Sequence, residues 1–106
     1  MELISISALE VHFDKRPADN VLLASDEFVN ILRTAPGCMS YSIIALNKDF
    51  SSIIISGFWA DKQGMVDHFS SSSFAALTDC LASNCRSMSF RSFFMTSGMR
   101  GQHAEQ

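Results

Sequence analysis

The chain has 106 residues, a mass of 11.7 kDa and a formal net charge of −3. It is 47% hydrophobic and 18% charged, which excludes a disordered chain, because that apolar surface can offset ordering entropy. Eight scattered Lys and Arg do not make the clustered basic face that displaces counterions from nucleic acid.

Residues 3–13, LISISALEVHF, read as a strand. Ile4, Ile6 and Ala8 alternate with Ser5 and Ser7; Leu9, Val11 and Phe13 then alternate with Glu10 and His12. The apolar parity switches near Ala8, which a bulge or a change of burial would produce. DKRP is a turn, with Pro17 suited to a first helical turn. Val21, Ala24, Phe28, Ile31 and Ala35 recur at helical spacing and predict one apolar face. Pro36-Gly37 ends that helix.

Residues 38–47 and 50–59 read as two strands joined at Lys48-Asp49, an antiparallel hairpin. Asp61 is a helix cap before a short helix carrying Met65, His68 and Phe69. One serine of Ser70 to Ser73 caps the next helix, through Phe74, Leu77, Leu81 and Cys85. Residues 87–96 form the last strand, and 98–106 are expected to be a flexible tail. The order is βαββαβ with a broken second helix. That is the α+β, ferredoxin-like arrangement of a four-stranded antiparallel sheet, in one domain over 1–97.

No apolar run approaches the twenty or so residues of a membrane span. Glu2 and the absence of basic residues beside it do not fit a signal peptide. Three cysteines lack CxxC or zinc spacing and are expected as small buried hydrophobes in a reducing, cytoplasmic setting. Seventeen serines make much of the polar surface neutral.

Both sheet faces are expected to be apolar. Ile53, Ile54 and Ile55 run consecutively, as do Ile43-Ile44, Phe58-Trp59 and Phe93-Phe94. Successive strand side chains point to opposite faces, and helices cover one. The other face predicts a homodimer joined sheet to sheet, burying apolar area at roughly 25 cal/mol per Å² before association costs. A different partner chain or another domain is the competing cover.

Pro36-Gly37-Cys38, Tyr41, Trp59 and His68-x-x-Ser71-x-x-Phe74-x-x-Leu77 together resemble the antibiotic biosynthesis monooxygenase family of dimeric α+β barrel proteins. The resemblance spans roughly residues 3–95. It implies a ferredoxin-like monomer whose sheets pair. It also implies a cofactor-independent monooxygenase acting on a phenolic or quinol-type small molecule. Other branches degrade haem or isomerise a sugar phosphate. The haem branch's first-strand Asn is replaced here by Ser5 and Ser7, and its later helix His falls near Thr78. A phosphosugar would need Arg86 and Arg91 without a glycine cradle. The rival from another class is a non-catalytic small-molecule-binding or structural module on the same dimeric scaffold.

His68 is the expected base or orienting group, since a free imidazole titrates at about 6.5; its other role is to fasten the broken helix to the sheet. Trp59 is the expected catalytic hydrogen-bond donor, or else a core anchor. Tyr41, Phe28, Phe74 and Arg86 are the expected substrate contacts, with Arg91 as an alternative cation. Each has a plain packing or solvated role beside that. Glu10 and His12 share a strand face but have no third metal ligand near them in sequence. Asp67 points about 100° from His68 and is a poor dyad partner. His103 lies in the tail. No cofactor or metal motif is present.

Overall fold

The computed structural model describes residues 3–96; the tail expected over 98–106, including His103, lies outside them. Along the chain come β1 (Leu3–His12), α1 (Asp19–Leu32), β2 (Cys38–Ala45), β3 (Ser52–Trp59), α2 (Lys62–Phe69), α3 (Ser72–Ala82) and β4 (Ser87–Thr96). All neighbouring strands are antiparallel, in the order β2-β3-β1-β4. This is the ferredoxin-like fold expected from the βαββαβ pattern, with its second helix in two pieces.

The helix break is chemical. Asp61 caps α2 by accepting from the Gly64 N–H at 2.7 Å. Ser71 caps α3, accepting from the Phe74 N–H at 3.1 Å while its hydroxyl donates to the His68 carbonyl at 2.7 Å. One serine thus closes one helix and opens the next. Gly37 sits at φ +81°, where a side chain would be strained. Its carbonyl accepts from the Ala60 N–H at 2.8 Å, tying the PGC turn to the end of β3.

Three expectations shift. The hairpin turn is longer than Lys48-Asp49. Asn47 and Asp49 accept from the backbone of Ser52 and Ser51 at 3.2 and 3.0 Å, and Phe50 has φ 61°. Those side-chain bonds and that left-handed residue delay β3 to Ser52. Helix α1 buries Val21, Ser25, Val29 and Leu32, and leaves Ile31 52% exposed. The buried stripe is therefore rotated from the expected one. Ser25 can take a core position because its hydroxyl bonds back to the Val21 carbonyl at 2.8 Å.

The third concerns β1. Its register against both neighbours is unbroken from Ser5 to His12. No bulge explains the parity switch; the faces stay constant and their composition changes. Ser5, Ser7, Leu9 and Val11 all face the helices and are buried. Ile4, Ile6 and Ala8 lie on the open face. That face also carries Ile44, Ile54, Phe58 and Phe93 by register. Both faces are apolar, as the isoleucine runs predict. Ile53 and Ile55 are buried under the helices, while Ile44 and Phe93 remain nearly half exposed opposite.

Candidate functional site

The site forms where the end of β3 meets the start of β1 under α2. Five buried residues meet there: Ser5, Ser7, Tyr41, Trp59 and His68. Trp59 is opposite Ser5 in the sheet, and its indole N–H donates to Ser7 Oγ at 3.2 Å. The His68 ring stacks on the indole with centroids 4.7 Å apart. Tyr41 meets both rings edge-on, at 6.1 Å from Trp59 and 5.2 Å from His68. Its hydroxyl lies 3.0 Å from His68 Nε2. Phe74 from α3 closes over His68 at 4.5 Å.

Gly57 makes this packing possible. A Cβ there would lie 2.7 Å from two Tyr41 ring carbons and 3.0 Å from Ser7 Oγ. The phenol ring therefore occupies the space that a side chain on β3 would take.

Burial sets the charge state. Desolvation holds His68 well below the usual imidazole range, at about 4, and pushes the Tyr41 phenol up. At neutral pH both groups are uncharged. Between the unfolded value of 6.5 and the folded value of about 4, the unfolded chain binds a proton that the folded chain refuses. His68 therefore lowers stability as pH falls through this window, by roughly 3 kcal/mol in all, and has no effect above it. Urea unfolding at about pH 7 and about pH 4.5 is expected to show this loss in the wild type, and a smaller one in His68→Gln. An equal loss in both proteins would remove His68 as its source.

His68 also lines a cleft of about 560 Å³ between the end of α1, the PGC turn and α2. Ile31, Ala35 and Pro36 supply its apolar wall, and Asp61, Gln63, Asp67 and Ser71 its polar one. His68 thus connects this cleft to the buried Tyr41–Trp59–Ser7 layer. Inside that layer, Ser5 Oγ and His68 Nδ1 have no hydrogen-bond partner.

The family model for antibiotic biosynthesis monooxygenases matches residues 6–79. The chain belongs to the antibiotic biosynthesis monooxygenase family. Among solved structures, an antibiotic biosynthesis monooxygenase is 20% identical, with 89% of this chain and 97% of that one covered and a TM-score of 0.72. A Bacteroides thetaiotaomicron protein of unknown function, described as a possible oxidoreductase, is 14% identical, with 89% and 98% covered and a TM-score of 0.72. A Shewanella oneidensis protein is 10% identical, with 89% and 91% covered and a TM-score of 0.73. At these identities the likeness shows the fold. No curated protein matches the sequence.

In this antibiotic biosynthesis monooxygenase domain, four expected site residues come together: Tyr41, Trp59, His68 and Phe74. Phe28 packs on the core from α1 and is partly buried. Arg86 does not join them. It stands at the start of β4 beside Asp14, at 3.8 Å, and its N–H donates to the His12 carbonyl. His12 is seven residues up β1 from Ser5, or about 23 Å along the strand. Arg91 is exposed on the open face opposite Ala8.

Glu10 and His12 do share that open face. His12 Nε2 lies 2.8 Å from Glu10 Oε2, and His12 Nδ1 lies 2.9 Å from Ser52 Oγ. Among the described residues no three His, Cys, Asp or Glu side chains come together as a metal site. All three cysteines are unpaired and partly buried. No helix of the described residues is long and apolar enough to cross a membrane. Ser5 and Ser7 were not among the expected site residues. Carrying the Leu9-Val11-Phe13 alternation back by twos reaches both.

Proposed function

We propose that this protein is a cofactor-independent monooxygenase that oxidises a phenolic or quinol-type small molecule. It works as a homodimer joined through the open sheet face, in the reducing cytoplasm that three unpaired cysteines suit. One observation carries the reading. A buried, uncharged Tyr41–His68–Trp59 cluster, with polar atoms still unpartnered, adjoins a cleft large enough for a small aromatic molecule.

The chemistry asks little of the protein. An electron-rich phenolate passes an electron to dioxygen far more readily than the neutral phenol. For a ring methylene flanked by aromatic rings, one oxygen atom becomes the new carbonyl. The other leaves as water with the two hydrogens of that carbon. Dioxygen is the only oxidant required. The buried layer of Trp59, Phe74 and Tyr41 backs His68 behind the cleft and limits water there. His68 is the group that contacts the substrate oxygen, as base or as orienting partner.

Oxygen uptake with simple hydroquinones and anthrones tests the reading. The wild type should consume oxygen in proportion to substrate. His68→Ala should lower kcat/KM by roughly a hundredfold. A wild type inert on every such substrate favours the second reading, a non-catalytic binding module. That reading is supported by the absence of a charged side chain from the Tyr41–Trp59–His68–Ser5–Ser7 layer.

A further inference from the structure

Glu10, His12 and Ser52 form a hydrogen-bonded row on the open face, away from its apolar end at Ile6, Phe58 and Phe93. Glu10 and His12 are two apart on β1, so both project from that face. Ser52 begins β3 and is the cross-strand partner of His12. Ser52 Oγ lies 2.9 Å from His12 Nδ1, and Glu10 Oε2 lies 2.8 Å from His12 Nε2. The imidazole therefore stands between a hydroxyl and a carboxylate. That is the order of a nucleophile, its base and the group that orients the base. Neither the oxidase reading nor the cleft beside His68 uses these residues.

The carboxylate selects the tautomer. It can only accept, so His12 Nε2 carries the ring hydrogen and donates it to Glu10. The Nδ1 lone pair is then left to accept the Ser52 O–H. The backbone keeps this row in place. The Ser52 N–H donates to Asn47 Oδ1 at 3.2 Å, and the Ser52 carbonyl accepts from the Leu46 N–H at 2.8 Å. The His12 carbonyl accepts from the Arg86 N–H at 2.7 Å. Hydroxyl and base thus hold their spacing before any substrate arrives. Solvent reaches the row, since the His12 and Glu10 side chains are 30% and 35% exposed and Ser52 is partly buried. Ile54 is next to Ser52 on the same face of β3 and opposite Glu10, which gives a short acyl chain an apolar surface.

We propose that Ser52 is a nucleophile that cleaves activated esters, with His12 as its base and Glu10 as the residue that positions the base. Ser52 Oγ attacks the ester carbonyl carbon while its proton passes to His12 Nδ1. The new Oγ–C bond forms a tetrahedral adduct, and Glu10 holds the imidazolium through Nε2–H. The adduct expels the alcohol or phenol, which takes the proton from Nδ1, and an acyl-Ser52 ester remains. Water then attacks that ester and gives its proton to Nδ1. The Oγ–C bond breaks, Ser52 regains its hydrogen and the carboxylic acid leaves. Nothing is oxidised or reduced, so this activity is independent of the oxidase reading.

Two probes test it on the full chain. An alkyl fluorophosphonate traps an activated serine as a stable phosphonate ester, with fluoride as the leaving group. Mass mapping of the wild type should find the label on Ser52. para-Nitrophenyl acetate reads turnover, by release of the coloured phenolate above the rate in buffer. Ser52→Ala should lose that release, and His12→Gln should lower it by roughly a hundredfold. Glu10→Gln should lower kcat by at least about tenfold and leave KM in place, which a merely structural hydrogen bond would not do. A label found elsewhere or not at all, or a release rate unchanged in Ser52→Ala, overturns the proposal. Neither ester probe consumes dioxygen, so its failure leaves the oxidase reading untouched.

Discussion

Trp59→Ala is expected to lower the unfolding free energy by roughly 3–5 kcal/mol, the largest loss from any single substitution in the site. Trp59 is 0% exposed. Its removal leaves a cavity between β1 and α2, frees Ser7 Oγ of its donor and takes away the surface on which His68 stacks. Against the 5–15 kcal/mol or so of a typical domain, such a loss leaves a marginal fold. Urea unfolding followed by far-UV circular dichroism measures it. Trp59→Phe keeps most of the ring volume and loses the N–H, so it should cost less. A loss below about 1 kcal/mol in Trp59→Ala would show that the layer is loosely packed, and the ordered site described above would not survive that result.

The second large effect concerns assembly. Phe93 lies on the open face and is 46% exposed. Phe93→Asp removes little from the fold of one subunit. If two open faces meet, it places a charge against apolar side chains such as Ile6 and Phe58, which its cross-strand register sets beside it. Sedimentation velocity at micromolar concentration should find the wild type as a dimer. The variant should dissociate at a concentration at least about a hundredfold higher, as for a buried aromatic anchor. A stable wild-type monomer at that concentration would discard the face-to-face arrangement.

Most of the architecture was legible in the chain. Element order came from alternation in the strands, from Pro36-Gly37, and from Asp61 and the serine run, because each is a local signal. The isoleucine triplet at 53–55 announced two apolar faces for the same reason. The rotation of α1 was not legible. It depends on Ser25 satisfying its own hydroxyl within the helix, so a polar residue took a core position. Ser5 and Ser7 were hidden by a similar substitution of type for place. Ile4 and Ile6 are the greasier residues, yet they occupy the open side. Tyr41, Trp59, His68 and Phe74 were legible as candidates, but their meeting was not. It depends on Gly57 lacking a side chain and on a cross-strand register that no local pattern encodes. Charge is the one signal Arg86 carries in the sequence, and the strand direction places it at the far end of the sheet.

The open face is not uniform along its length. Ile6, Phe58 and Phe93 sit side by side at one end by register, while the Glu10–His12–Ser52 chain occupies the other, opposite Ser87 and Ser89. A surface graded in this way has a direction. A second copy docking on this face would gain most where Ile6, Phe58 and Phe93 meet, and would leave the Glu10–His12 edge of β1 and β4 hydrated. Mating of the two sheets would then have a single low-energy orientation, with the rotation axis drawn toward the greasy end.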